Sequence, residues 1–359
     1  LATGITVPLA LQLQRHAAAE ARYAAAADAY DRALADTSDA FAAYEATHDA
    51  AVASRAIADA VLAVADPAYV DPVTLQALAA ANGTLVEVLD TNTAPDAPSR
   101  LATAPDDTDG LDDRAEEIAA QVAEVRAAGE DVAALATAVE AAAAPVDVAG
   151  EALMSSLPAA AASVDGVFVS AANPARIDYR TIAAGLENAG WHSGSADRVG
   201  AYVAAAARLA ASHTAEEAQK AGPLHANRRA AEDFARSIAG GVMLDFDWAP
   251  IVNGYGANGS YGGTATWNTA HGGYSTMTLS DSVAAMWNSN PDVASLVAHE
   301  TGHSITSKCI TLFQDGFASQ AEVFATAWAI GMGYDRNGSG ESIYGRPSDE
   351  LIELSKQCR

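Results

Sequence analysis

Hydrophobic positions in the first half of the chain repeat every seven residues. Leu111, Ile118, Val125, Val132 and Val139 are each seven apart, and Ala115, Val122, Gly129 and Ala136 fill the offset of four. That period belongs to a coiled-coil helix, and the small residues on one side predict close antiparallel packing. A second stripe, Tyr23, Tyr30, Leu34, Phe41 and Tyr44, has helical spacing. It lies in a stretch without Gly or Pro that runs from residue 9 to Asp66. Pro67 and Pro72 end it, because proline lacks the N–H that the next turn needs. A shorter helix is predicted over 73–89, then a loop over 91–110, which is rich in Pro, Asp and Thr. A helix of about 55 residues is ~80 Å long, so a long helical hairpin or bundle is expected, with the length of a stalk. His16 and His48 stand alone on these helices and suggest no ligand cluster.

The second half has shorter periods. Residues 241–246, 262–267 and 274–279 are β-prone runs, the last two joined as a hairpin by 268–273. A short helix is expected over 281–288. Val293, Leu296, Val297 and Ile305 recur at helical spacing behind Asn290 and Pro291, residues suited to a helix start. Another helical run covers 318–330. The glycine-rich stretch 254–263, with Tyr255 and Tyr261, reads as a loop. The fold class expected is therefore α+β and mostly helical, with a helical N-terminal part followed by a domain containing a small antiparallel sheet.

Composition sharpens this division. Residues 1–165 hold 7 Arg, no Lys and 27 acids, a net charge of −20; residues 166–359 hold 13 Lys+Arg and 19 acids, a net −6. Alanine fills about a quarter of the chain, and all five Trp lie in the second part. The shift places a boundary near 158–165, giving an acidic helical domain at 1–165 and a second domain at 166–359. A net charge of −26 repels phosphate backbones, so nucleic acid is not an expected partner. No run of 18 apolar residues is present, and no membrane span is expected. The chain begins at Leu1 rather than Met, and residues 1–13 are apolar. Both features read as the stub of a removed signal or anchor, hence an extracellular or envelope location. Cys309 and Cys358 are the two cysteines, one of them in the tail. An exported protein would pair them in a disulfide; the alternative is two buried free thiols.

Candidate chemistry is concentrated in His299-Glu300-Thr301-Gly302-His303, an H-E-x-x-H pattern on the helix just described. Positions i and i+4 share a helix face, so both imidazoles can reach one ion. Glu300 is turned about 100° away and reaches a water instead. A catalytic zinc site needs a third protein ligand and an open position. Glu322, the only acid in 318–330 and otherwise alone among apolar neighbours, supplies it.

These two runs, His-Glu-Thr-Gly-His and Glu322-Val323-Phe324-Ala325, resemble the zincin superfamily of zinc peptidases over roughly residues 274–333. Within it they are most similar to the gluzincin branch and its lethal-factor-like members. The resemblance implies hydrolysis of protein or peptide substrates, Zn2+ held by His299, His303 and Glu322, and Glu300 as general base. It also implies that 274–279 is an edge strand able to capture an extended peptide. Thermolysin-like members carry an Asp where this chain has Thr326, so the partner of the first His is open, with Asp315 as a substitute. For oxyanion stabilisation the candidates are His271 and Tyr334, with Tyr344 and Arg336 also near in sequence. Residues 335–341 alternate oxygen donors like a calcium loop, but the twelfth position is Arg346. The helical domain would be a stalk, an arm that binds a partner or substrate, or an inhibitory segment. A reading of another class is a surface scaffold with an inactive zincin fold.

Overall fold

The computed structural model describes residues 6–99 and 103–359; the first five residues of the apolar N-terminal stretch lie outside it. The chain divides into two compact units. One comprises residues 1–157 and 188–200, the other 158–187 and 201–359.

The first unit is built on three helices, α1 (Thr6–Val64), α2 (Pro72–Thr91) and α3 (Thr108–Val167), the last of which continues into the second unit. Asp71 caps α2 by accepting the Val73 N–H. Leu111, Ile118, Val125, Val132 and Val139 are all buried, and the same spacing continues through Val146 and Leu153. On α1 the buried residues include Tyr30, Thr37, Tyr44, Ala51 and Ala58, also seven apart. Leu34 and Phe41 instead line a surface groove with Ala97 and Pro98.

The expected antiparallel hairpin of the two long helices is corrected, because α1 and α3 run parallel. His16 meets Thr108, Arg22 meets Asp112, the Thr37 hydroxyl bonds the Val125 carbonyl and Ser54 bonds Asp147, a near-constant offset along both chains. Connection length explains it. Twenty residues of α2 rise about 30 Å, and the sixteen residues between α2 and α3 reach up to about 55 Å. Together they return the chain to the start of a helix roughly 88 Å long. A seven-residue seam fits either direction; the connection chooses. α3 includes a stretch of mean hydropathy 1.5, long and apolar enough to span a membrane by length and composition alone, a property that core helices of soluble proteins share.

The second unit includes α4 (Asn173–Ala184), most of α5 (Ser195–Gln219), α6 (His225–Ile238), β1 (Met243–Ala249), β2 (Gly263–Asn268) and β3 (Tyr274–Ser280). These are followed by α7 (Asp281–Met286), α8 (Asp292–Ile305), α9 (Ala321–Gly331), α10 (Glu341–Tyr344) and α11 (Asp349–Ser355). The strand order is β1-β3-β2, with β1 parallel and β2 antiparallel to β3. The sheet is therefore mixed rather than antiparallel. β3 lies at its centre, so 274–279 is not the edge strand expected; the edges are β1 and β2. Leu244 and Phe246 of β1, Met277 and Leu279 of β3, Val293 and Val297 of α8 and Trp328 of α9 form the core. Cys309 and Cys358 are joined in a disulfide, and the Cys358 carbonyl accepts the Trp328 indole N–H at 2.7 Å.

Candidate metal centre

The site is built where α8 and α9 cross. Asn290 accepts the Asp292 N–H at 3.0 Å and starts α8. Gly302 allows the close crossing, since a Cβ there would lie 2.8 Å from the Ala325 Cα. Glu322 stands in the first turn of α9. It is about two-fifths exposed, so it faces the two histidines rather than being stranded in the core.

Three donor atoms converge. His299 Nε2 is 3.2 Å from His303 Nε2 and 3.2 Å from Glu322 Oε2; His303 Nε2 is 3.3 Å from the same oxygen. Among the described residues this is the one His/Cys/Asp/Glu group of three or more close enough to hold a metal ion. Bond lengths of about 2.0–2.2 Å at tetrahedral angles place ligand atoms about 3.3–3.6 Å apart; the observed 3.2–3.3 Å lies at the short end of that range. His299 Nδ1 donates to the Ser339 carbonyl at 2.9 Å. A carbonyl only accepts, so Nδ1 holds the proton and a neutral ring turns its Nε2 lone pair toward the other two donors. The adjoining imidazoles, His299 first and His303 next, hold Glu322 far below the ordinary carboxylate range.

Glu300 lies on the same helix and is almost wholly buried. Its Oε2 has no hydrogen-bond partner. Burial pushes its carboxyl up to about 7, with His299 pulling it down and Glu322 raising it. β2 packs on it: a Cβ at Gly263 would lie 2.6 Å from Glu300 Cγ. A cavity of about 100 Å³ opens here, lined by Tyr255, Tyr261, Leu296, His299, Glu300, Ile343 and Tyr344 among others. The glycine-rich loop thus contributes two tyrosines to the site.

The remaining candidates separate. Asp315 is exposed in the turn Leu312–Gly316, and the first histidine's partner is the Ser339 carbonyl. Thr326, at the position where an Asp was sought, brings its Oγ1 to 3.4 Å from the same nitrogen. His271 sits exposed at the tip of the β2–β3 hairpin with φ of 54°, outside the cavity. Tyr334 packs edge-on against Phe234, ring centroids 5.1 Å apart. Tyr344 rather than Tyr334 reaches the site. Its ring stacks on His299 at 5.9 Å with an 8° interplanar angle. Burial first, then the nearby Glu322 and Glu300, push its hydroxyl above the ordinary value. Sequence reading gave Ser339 no role; the only local hint was the Gly338-Ser339-Gly340 run, a backbone free to approach a helix. Gly340, at φ of 94°, would put a Cβ 2.7 Å from the His299 ring.

No family model, curated protein or solved structure matches this chain.

Proposed function

We propose that this protein is a zinc-dependent endopeptidase of the zincin type. One observation carries the reading: His299, one corner of the closely spaced His299–His303–Glu322 triangle, lines the same cavity as Glu300, a buried carboxyl with one oxygen unpaired. His299, His303 and Glu322 would hold the ion. When bound, zinc supplies Lewis acidity, polarising a carbonyl and lowering the pKa of water.

The protein's own groups account for the rest. Glu300 takes a proton from water and returns it to the leaving amine, a task suited to a carboxyl whose pKa lies near 7. The Tyr344 hydroxyl, protonated and beside Glu322, donates a hydrogen bond to the substrate carbonyl. An extended peptide is held by β2. The Ser280 N–H bonds the Gly262 carbonyl, so pairing with β3 alternates from there. The backbone N–H and C=O of Ala265 and Trp267 then point away from β3 and can receive a strand.

Metal analysis combined with digestion of a peptide library tests this. About one zinc per chain is expected, with cleavage that a chelator stops and added zinc restores. A zinc-loaded protein that cleaves nothing in the library would refute the reading.

A further inference from the structure

Residues 335–346 join α9 to the segment before α11 and meet the His299 ring at Ser339, Gly340 and Tyr344. Gly338 lies so close to the start of α8 that a Cβ would come within 1.9 Å of the Asp292 carbonyl. Ser339 gives its carbonyl to His299 Nδ1, and Tyr344 stacks on the same ring. The helix within this strap, α10, has four residues and is too short to sustain itself. Its backbone bonds include those of the Ile343 and Tyr344 N–H groups to the Gly340 carbonyl and of the Gly345 N–H to the Glu341 carbonyl.

One side chain joins the two ends of the strap. Arg346 Nη1 lies 3.0 Å from Asp335 Oδ1 and 2.8 Å from Glu341 Oε2. Beginning, middle and end of the segment thus meet at one guanidinium. Where a calcium loop would place an acid, this chain places the cation itself.

We propose that Arg346 is a positioning residue of the metal site. By closing the strap it holds the Ser339 carbonyl and Tyr344 against His299, fixing that ring's tautomer and angle before an ion arrives. This rests on the metal-site reading above. The three charged side chains are roughly two-fifths exposed, so these ion pairs add little to global stability. Their effect is on the site's geometry.

The test uses the full chain, zinc alone as probe, and competition with a chelator. Arg346→Met keeps the stem and removes the charge. Outer partners of metal-ligating histidines are worth 10- to 100-fold in affinity; a residue one step further out should weaken zinc binding by about three- to tenfold. The metal-free melting temperature should not move. Amide exchange over 341–346 in the metal-free protein should quicken. Arg346→Lys should recover part of the affinity, since a point charge cannot bridge both carboxylates as well as a planar fork. Asp335→Asn with Glu341→Gln should copy Arg346→Met, and adding Arg346→Met to that pair should change nothing further. Wild-type affinity in Arg346→Met, or weakened binding without faster exchange in 341–346, would overturn the proposal. A wild-type protein that binds no zinc would overturn the metal-site reading itself, and this inference with it.

Discussion

The two units bury different things. In the first, the α1–α3 seam is made mostly of small and aliphatic side chains such as Ala51, Ala58, Val132 and Val139, joined by Tyr30 and Tyr44, with Thr37 answering a backbone carbonyl across the gap at Gly129. Its charged residues stay near solvent, as in the Arg22–Asp112 pair. The second unit buries large aromatic residues such as Trp328, Phe246 and Phe324, and buries charge beside them. Lys220 and Glu232 pair at 3.2 Å, both almost without exposure. Glu232 also takes the Trp248 indole N–H and the Arg236 guanidinium. Glu300 is buried with one oxygen unanswered. A helical seam gains stability from apolar contact alone and tolerates repetition. A pocket that keeps a carboxylate out of water needs a large, varied core to hold it, and the candidate chemistry is found in the unit that has one.

Breaking the site should leave the helical unit untouched. The largest effect is expected for Glu300→Gln, which preserves shape and removes the proton acceptor. Peptide hydrolysis should fall by about 10²–10⁴-fold while metal content, measured on the purified variant, stays at the wild-type value. Glu322→Ala removes a ligand and should weaken zinc by more than the roughly 100-fold upper range of outer-partner losses; chelator competition reads this directly. Both variants should keep the wild-type helical signal in circular dichroism. A loss of helix in either would mean that the site also supports the fold.

Stability tests sharpen the contrast. Replacing Cys309 and Cys358 by Ser opens a loop of sequence separation 49 and should cost about 2–4 kcal/mol in urea unfolding. The transition lost should be that of the second unit. Two glycines then divide the units by sign. Gly83 on α2 has nothing within 4 Å of a new Cβ, so Gly83→Ala should stabilise by about 0.5–1 kcal/mol through helix propensity. Gly302 on α8 would gain the same propensity, but its Cβ would lie 2.8 Å from the Ala325 backbone. Overpacking costs of about 1–3 kcal/mol then win, and Gly302→Ala should lower stability. Equal signs in calorimetry would mean that the α8–α9 crossing is looser than its geometry.

Local repetition made much of this readable in advance. The seven-residue seam located α3, the prolines ended α1, and the i, i+4 spacing placed His299 and His303 on one face with Glu300 off it. Glu322 stood out as a lone acid on an apolar helix. Each of these depends on neighbours within one or two turns, so the local sequence is sufficient. What required the tertiary structure depends on where the chain goes between elements. α1 and α3 run parallel because the residues between them are long enough to return the chain, and the seam itself is blind to direction. β3 is central because β1 pairs on its far side, a contact made between segments about 30 residues apart. The partner of His299 Nδ1 is a backbone carbonyl 40 positions away, and every residue type carries one. Tyr344 rather than Tyr334 reaches the site because Phe234 claims the latter. A carbonyl acceptor and a choice between two tyrosines leave no local pattern, so only the closed structure could decide them.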